Sequence, residues 1–358
     1  MKFRSIIFSL YIIIFPFYFY PPGSIQISDA IGIIFIFFSI VKILKKYKDL
    51  RWLRFIFLFI IYTFFVNFAW YLSLGDSILL KPSLNYLYNF LLLAAFIAHF
   101  NDKTFLQYTF WSILISFSIQ LFAYGLTSRE WGYRSVIFFN NPNQLSLWSL
   151  NSLVILNIIS HRLKVNNILL TAFSIVGTLF IFLSVSQAAL ISIFIYWIYY
   201  LFTNKIKIIY KFLILIFLLI PLSNNQNISS IPILERISLR IQTDNTDDNT
   251  LSSRGLDRIY NHPEYIFFGA GEGVNNRFDS VYKGEIHSSP FNILFSYGFI
   301  GLFLVLLFVK KLISFNMTSF VLVLMLFVFS MGHMTLRIPL FWIALSTIYF
   351  FNKKNNLV

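Results

Sequence analysis

Residues 285–301 read EIHSSPFNILFSYGFIG, and the run changes character at Pro290. Before it stand a carboxylate, an imidazole and two hydroxyls. After it come apolar and aromatic side chains, then Gly298 and Gly301. Ser289 is of the type that caps helices, and proline suits the first helical position. A helix is therefore expected to begin here, with His287 at its mouth on the polar side. The positive end of the helix dipole disfavours an imidazolium at that place. A neutral imidazole is what a general base needs near pH 7. A boundary histidine held by ordinary hydrogen bonds is the plainer reading of the same spacing.

The apolar run that follows is one of many. The chain has 358 residues, is 58% hydrophobic with a mean hydropathy of +0.74, and carries only 12% charged residues. A water-soluble domain of this size exposes more charge. Apolar runs of helical length predict an all-α polytopic membrane protein with about twelve spans. We place them near 5–20, 27–44, 53–73, 82–100, 104–126, 143–160, 167–184, 188–203, 206–222, 290–309, 316–332 and 338–351. The expected organisation is nine spans over 1–222, one long outer loop over 223–289, and three spans over 290–358. Lys2 and Arg4 before an apolar run imitate a signal peptide, but only FYFYPPG (17–23) follows, with no small-residue cleavage site. The run is read as the first span. The absence of cysteine excludes disulfides, thiolate metal sites and cysteine nucleophiles. No internal repeat is visible.

Charge sets the expected orientation. With the N-terminus inside, eighteen of the 28 lysines and arginines fall on the inner side, with Asp49 and Asp102 as the only acids there. This is the positive-inside pattern, and it accounts for the net charge of +14 without a nucleic-acid partner. Both termini are then cytoplasmic. The type of base also differs between the sides. Inner bases are mostly lysine. Outer ones are Lys81 and Lys283 against Arg129, Arg134, Arg236, Arg240, Arg254, Arg258, Arg277 and Arg337. A guanidinium offers a planar two-point fork to phosphate or carboxylate oxygens, which an ammonium cannot. Pairing with loop acids is the alternative for any one of them.

Within the long loop, PILERISLRI (232–241) spaces its apolar residues as a helix lying on a membrane surface. A second short helix over 253–261 would put Arg254 and Arg258 one turn apart on one face. GAGEG (269–273) follows no strand and opens no helix, so it reads as a tight turn rather than a nucleotide loop. The acidic run 244–249 reads as solvated loop rather than a calcium site. His262 reads as structural, and His99 and His161 fall on the inner side. Trp131 and Trp148 read as interface anchors, with Trp131 and Tyr133 also able to stack on a sugar ring. His333 and Arg337 sit near the outer end of the last helix pair.

These residues carry a resemblance. HSSPFNILFSYGFIG (287–301) resembles the His-[Asn/Ser/Gln]-x9-Gly-x-x-[Gly/Thr/Tyr] signature of the O-antigen ligase and O-antigen polymerase (Wzy) superfamily, with His287, Ser288, Gly298 and Gly301 at the defined positions. Arg258 and Gly269 match an Arg-x10-Gly pattern of some of these polymerases. YRSVIFFNNPNQLSL (133–147) is similar to the Arg-x-x-Gly-x-Phe-x-Asn-Pro-Asn motif between spans five and six. Arg134, Asn141, Pro142 and Asn143 match, while Val136 or Ile137 stands where a glycine is common. LSVSQAAL (183–190) resembles a Ser-x-Arg-Gly-Ala-Leu element in which Gln187 replaces the arginine.

The resemblance implies an integral membrane glycosyltransferase acting on the outer face of the bacterial inner membrane. Its donor would be an undecaprenyl-diphosphate-linked oligosaccharide. It implies His287 as the catalytic base and Arg134, Arg254 and Arg258 as contacts for the diphosphate. Asn141, Asn143, Tyr133, Ser288 and Arg337 would lie on the substrate or beside it. No cofactor and no metal are implied, and the sequence carries neither a Walker-type loop nor an Asp-x-Asp. A chain-length regulator is a candidate protein partner. The absent arginine at Gln187 and the short chain favour a polymerase of polysaccharide repeat units. A ligase that transfers the glycan to lipid A–core, or a protein O-oligosaccharyltransferase, is the alternative. A flippase of lipid-linked oligosaccharides is the alternative of a different class. It would bury charges within its spans and show repeat-related halves.

Overall fold

The computed structural model describes residues 2–21, 23–126, 130–131, 134–203, 250–278, 280, 282–313 and 317–355. The described chain is mostly helical, with almost no strand. In chain order the helices are α1 (Lys2–Ile14), α2 (Ile27–Lys45), α3 (Arg54–Leu74), α4 (Leu80–His99), α5 (Lys103–Leu126) and α6 (Pro142–Leu163). There follow α7 (Asn167–Ser184), α8 (Gln187–Thr203), the short α9 (Asp257–Asn261), α10 (Ser289–Ile313), α11 (Met317–Gly332) and α12 (Pro339–Asn355). Two-residue strands β1 (Glu130–Trp131) and β2 (Arg134–Ser135) form one antiparallel pair between α5 and α6.

Among the described residues, six stretches are long and apolar enough to cross a membrane: those of α2, α3, α4, α5, α7 and α10. Three shorter apolar helices lie at 187–203, 317–332 and 339–351. Large apolar side chains on α2 and α3, such as Phe37 and Phe65, stand exposed, as lipid contact requires. The expected ninth span at 206–222 and the surface helix at 232–241 lie outside the described residues, as do Arg129, Tyr133, Arg236 and Arg240. α6 matches an expected span in position but is not apolar enough to count among the six. The reason is its burial. Ser146, Ser149, Asn151, Ser152, Asn157 and Ser160 are all enclosed by protein, so they need not satisfy lipid.

The chain divides into two compact units. The first comprises 1–38, 100–245 and 324–329, and the second 39–99, 246–323 and 330–358. In the first, α1 packs on α5, with Phe8, Phe35 and Phe105 meeting ring to ring. α6 packs on α7 at Gly177, whose missing side chain admits Leu153 and lets Ser149 Oγ donate to the Gly177 carbonyl at 2.7 Å. Tyr196, Trp197 and Tyr199 of α8 bond to Ser174, Thr178 and Asn157. In the second unit α3 packs on both α4 and α10, and α4 packs on α12. Phe59, Tyr86, Tyr297 and Trp342 form its aromatic centre.

α10 is interrupted. Gly298 lies at φ 64°, ψ −171°, a conformation essentially restricted to glycine. The break frees backbone groups that the helix would pair internally, and the loop segment 266–271 supplies their partners. Ala270 and Gly271 N–H donate to the Phe295 and Ser296 carbonyls at 2.9 Å each, and Phe299 N–H donates to the Ile266 carbonyl at 2.8 Å.

Candidate functional site

In the second unit the described residues between α8 and α10 fold on their own small core. Ala270, Phe278, Ile286 and Phe295 are buried together, with Leu256, Ile259 and Tyr265 packed against them. The GAGEG stretch is the tight turn that its composition implied. Gly269, Gly271 and Gly273 all have positive φ, and a Cβ at Gly269 would overlap the α10 backbone at Ser296 and Tyr297. A Cβ at Gly298 would in turn overlap the Phe267 carbonyl. The two glycines of the separate sequence patterns thus serve one close backbone crossing.

His287 is exposed, just before α10. Its N–H donates to the Arg254 carbonyl at 3.1 Å, and its ring lies 4.8 Å from that of Tyr282. Enough chain crowds the ring to desolvate it, and the Arg254 guanidinium adds to this. Together they hold its pKa below the ordinary imidazole value, against the opposing pull of Glu285. A neutral ring near pH 7 is the result. The hydroxyl of Ser289 does not cap α10. It donates to the His333 carbonyl at 2.9 Å and accepts from Thr335 N–H at 2.7 Å, because the connection between α11 and α12 lies against it. Ser288 is buried, and its hydroxyl has no partner among the described residues.

Arg254 and Arg258 do not share a helix face. α9 begins only at Asp257, and Gly255 at φ 72° separates the two arginines. Arg254 is half-buried in the preceding turn, beside His287. Arg258 is fully buried and donates to the Tyr282 carbonyl and, at 2.7 Å, to that of Gly284. Burial lowers its pKa, with Asp257 opposing.

Glu272, which the sequence places only within the glycine turn, is the centre of a buried polar network in this unit. It is 1% exposed. Oε1 accepts from Asn292 Nδ2 at 2.8 Å and from Arg337 Nε and Nη2 at 3.0 and 2.7 Å. Oε2 accepts from Tyr297 Oη at 2.7 Å. Its own N–H donates to Asn67 Oδ1 at 2.9 Å, and Asn67 Nδ2 donates to Ser83 Oγ and Tyr297 Oη. Arg337 Nη1 donates to Glu285. Burial opposes the charge on Arg337, but the two carboxylates outweigh it and raise its pKa. The available signal was Asn67 and Asn292 inside apolar runs, since polar residues there mark built interactions.

In the first unit the two other sequence patterns meet. Arg134 Nε donates to the Ser184 carbonyl at 2.8 Å, at the corner between α7 and α8, and Nη2 donates to Asn143 Oδ1 at 2.7 Å. Asn141 caps α6, accepting from Gln144 N–H at 2.9 Å, with Pro142 next. The Gln144 side chain returns to Asn140 N–H at 3.1 Å. Each asparagine of Asn-Pro-Asn thus has its own task. Ile137, at the glycine position of the resembled pattern, has φ 54°.

Comparison with known families finds no matching family model for this chain, and comparison with curated proteins finds no similar sequence.

Proposed function

We propose that the protein is a polysaccharide polymerase that takes glycan from a polyprenyl-diphosphate carrier on the outer face of a bacterial inner membrane. The observation that carries this reading is the exposed His287 imidazole. It is held neutral at the entrance of an apolar helix, with a guanidinium beside it. The acceptor is the terminal sugar hydroxyl of another lipid-linked repeat unit. Its proton passes to His287 as the oxygen attacks the anomeric carbon, and the carbon–oxygen bond to the diphosphate breaks. The lipid diphosphate leaves with the electron pair, so negative charge grows on it. Arg254 is assigned to that charge, where a nearby fixed cation lowers the barrier most. Arg258, spent on two carbonyls, is assigned to shaping the loop. No cofactor enters the reaction.

The test is surface-glycan length in a deletion strain complemented with wild type or with His287→Ala, with expression of both checked. Acceptor capped by a single repeat unit in the deletion strain, and no long chains with His287→Ala, is the expected result. Long chains held on the carrier lipid would instead make the protein a ligase. Loss of lipid-linked repeat units from the outer face would make it a flippase. Normal chains with well-expressed His287→Ala would remove the histidine from the mechanism.

A further inference from the structure

We propose that Arg337 is a positioning residue: by clamping Glu285 to the buried Glu272, it holds the segment that carries His287 and keeps the Glu285 charge engaged. The purpose of this bridge rests on the transferase reading above, but its existence and its effect on His287 do not.

Arg337 commits three of its five N–H groups to carboxylates. Nε and Nη2 are on Glu272, and Nη1 is on Glu285. Every nitrogen of the fork already has a carboxylate oxygen. Two carboxylates and one guanidinium sum to a net negative charge, which repels a diphosphate. Arg337 is therefore a poor phosphate contact, although an outer arginine at a helix end invites that assignment. Glu272 is a fixed anchor, since it is enclosed and both its oxygens are occupied from α10 and from Arg337. Arg337 is itself placed by its connection. The Leu336 carbonyl accepts from Asn89 Nδ2 of α4 and Trp342 Nε1 of α12.

The segment 285–289 is then pinned along its length. Glu285 is held by Arg337, Ile286 is buried in the loop core, and His287 N–H is on the Arg254 carbonyl. Ser289 is tied to His333 and Thr335. His287 has little freedom of backbone, which is what a base needs to meet a substrate hydroxyl. The groups that face its ring are Tyr282, Arg254 and Glu285. Arg258 acts on Tyr282 from behind, at that residue's carbonyl. Of the charged groups beside the ring, Glu285 is the one that stabilises the imidazolium, and Arg337 competes with the imidazole for its charge.

The experiment is an NMR titration of histidine-labelled, full-length protein in detergent or nanodiscs. His287→Gln identifies the His287 signal among the five histidines. Glu285→Gln is expected to lower the His287 pKa by about half a unit or more. Arg337→Gln is expected to raise it, because it removes a cation and releases the Glu285 charge. Arg337→Lys should fall between Arg337→Gln and wild type, since lysine restores charge without the fork. A His287 pKa that stays at the wild-type value in Glu285→Gln overturns the proposal. That variant leaves the Glu272–Arg337 pair in place and so remains informative if Arg337→Gln does not fold. A pKa that falls in folded Arg337→Gln also overturns it. If the pKa values move as expected but His287→Ala leaves glycan length normal, the bridge stands and the transferase reading fails.

Discussion

Gly298 and Ile137 show how much a single backbone conformation decides. Gly298→Ala forces a side chain into a glycine-only conformation and onto the Phe267 carbonyl. A loss of about 3 kcal/mol or more is expected, read as a lower thermal midpoint in detergent. Gly125→Ala, with nothing near its missing Cβ on α5, should be neutral or slightly stabilising in the same assay. Ile137 stands in the left-handed region, where a side chain costs about 1–2 kcal/mol. Ile137→Gly and Ile137→Ala both empty a buried site, yet only glycine relieves that cost. The glycine variant should be the more stable of the two, the reverse of the usual order within a helix. An alanine variant that melts higher would contradict the strain argument.

At the scale of elements, α10 depends on chain that is not its own. The amides of Ala270, Gly271 and Phe299 should exchange as slowly as those of an unbroken helix, because their bonds bridge loop and helix in an apolar setting. Fast exchange at these three would mean that the crossing opens on its own. Tyr297 ties the same helix to Glu272 and, through Asn67, to α3. Tyr297→Phe leaves Glu272 Oε2 and one Asn67 donor without their partner inside the protein. It should cost about 1–3 kcal/mol, measured by thermal unfolding. The GAGEG turn and the break in α10 are thus two halves of one structural requirement, and neither alone explains its glycines.

At the scale of the molecule, the long apolar helices mark a membrane protein, and the positive-inside pattern predicts which side His287 faces. The chain has no cysteine, so single-cysteine variants report topology without background. Lys283→Cys should react with a membrane-impermeant maleimide on intact spheroplasts, and Lys311→Cys only after lysis. The opposite pattern would invert the orientation and remove His287 from the outer face. Activity should also carry the mark of the His287 environment. In the proposed reaction His287 acts as the neutral base, and its pKa lies below the ordinary value near 6.5, so activity should persist below about pH 6.5 and fall as pH drops through the lowered pKa. An acid limb above that pH would show that the groups around His287 do not depress it.

What could be read from residues alone was local. Apolar runs at helical length, the glycine turn at 269–273 and the place of His287 before α10 each depend on neighbours in the chain. Periodicity and capping chemistry report such neighbours directly. The helix expected over 253–261 failed locally as well. Gly255 takes a left-handed turn, and the helix starts after it. The tertiary structure alone decided which charges meet. Arg258 went to backbone carbonyls more than twenty positions along the chain, and Glu272 became the anchor of Arg337, 65 residues away. The cost of burying an unpaired charge makes such pairings obligatory, but it says nothing about which partner the fold brings near. A guanidinium suits a carboxylate, a carbonyl or a phosphate equally well in sequence. Only the packing of α3, α4, α10 and the connection to α12 chose the carboxylate for Arg337.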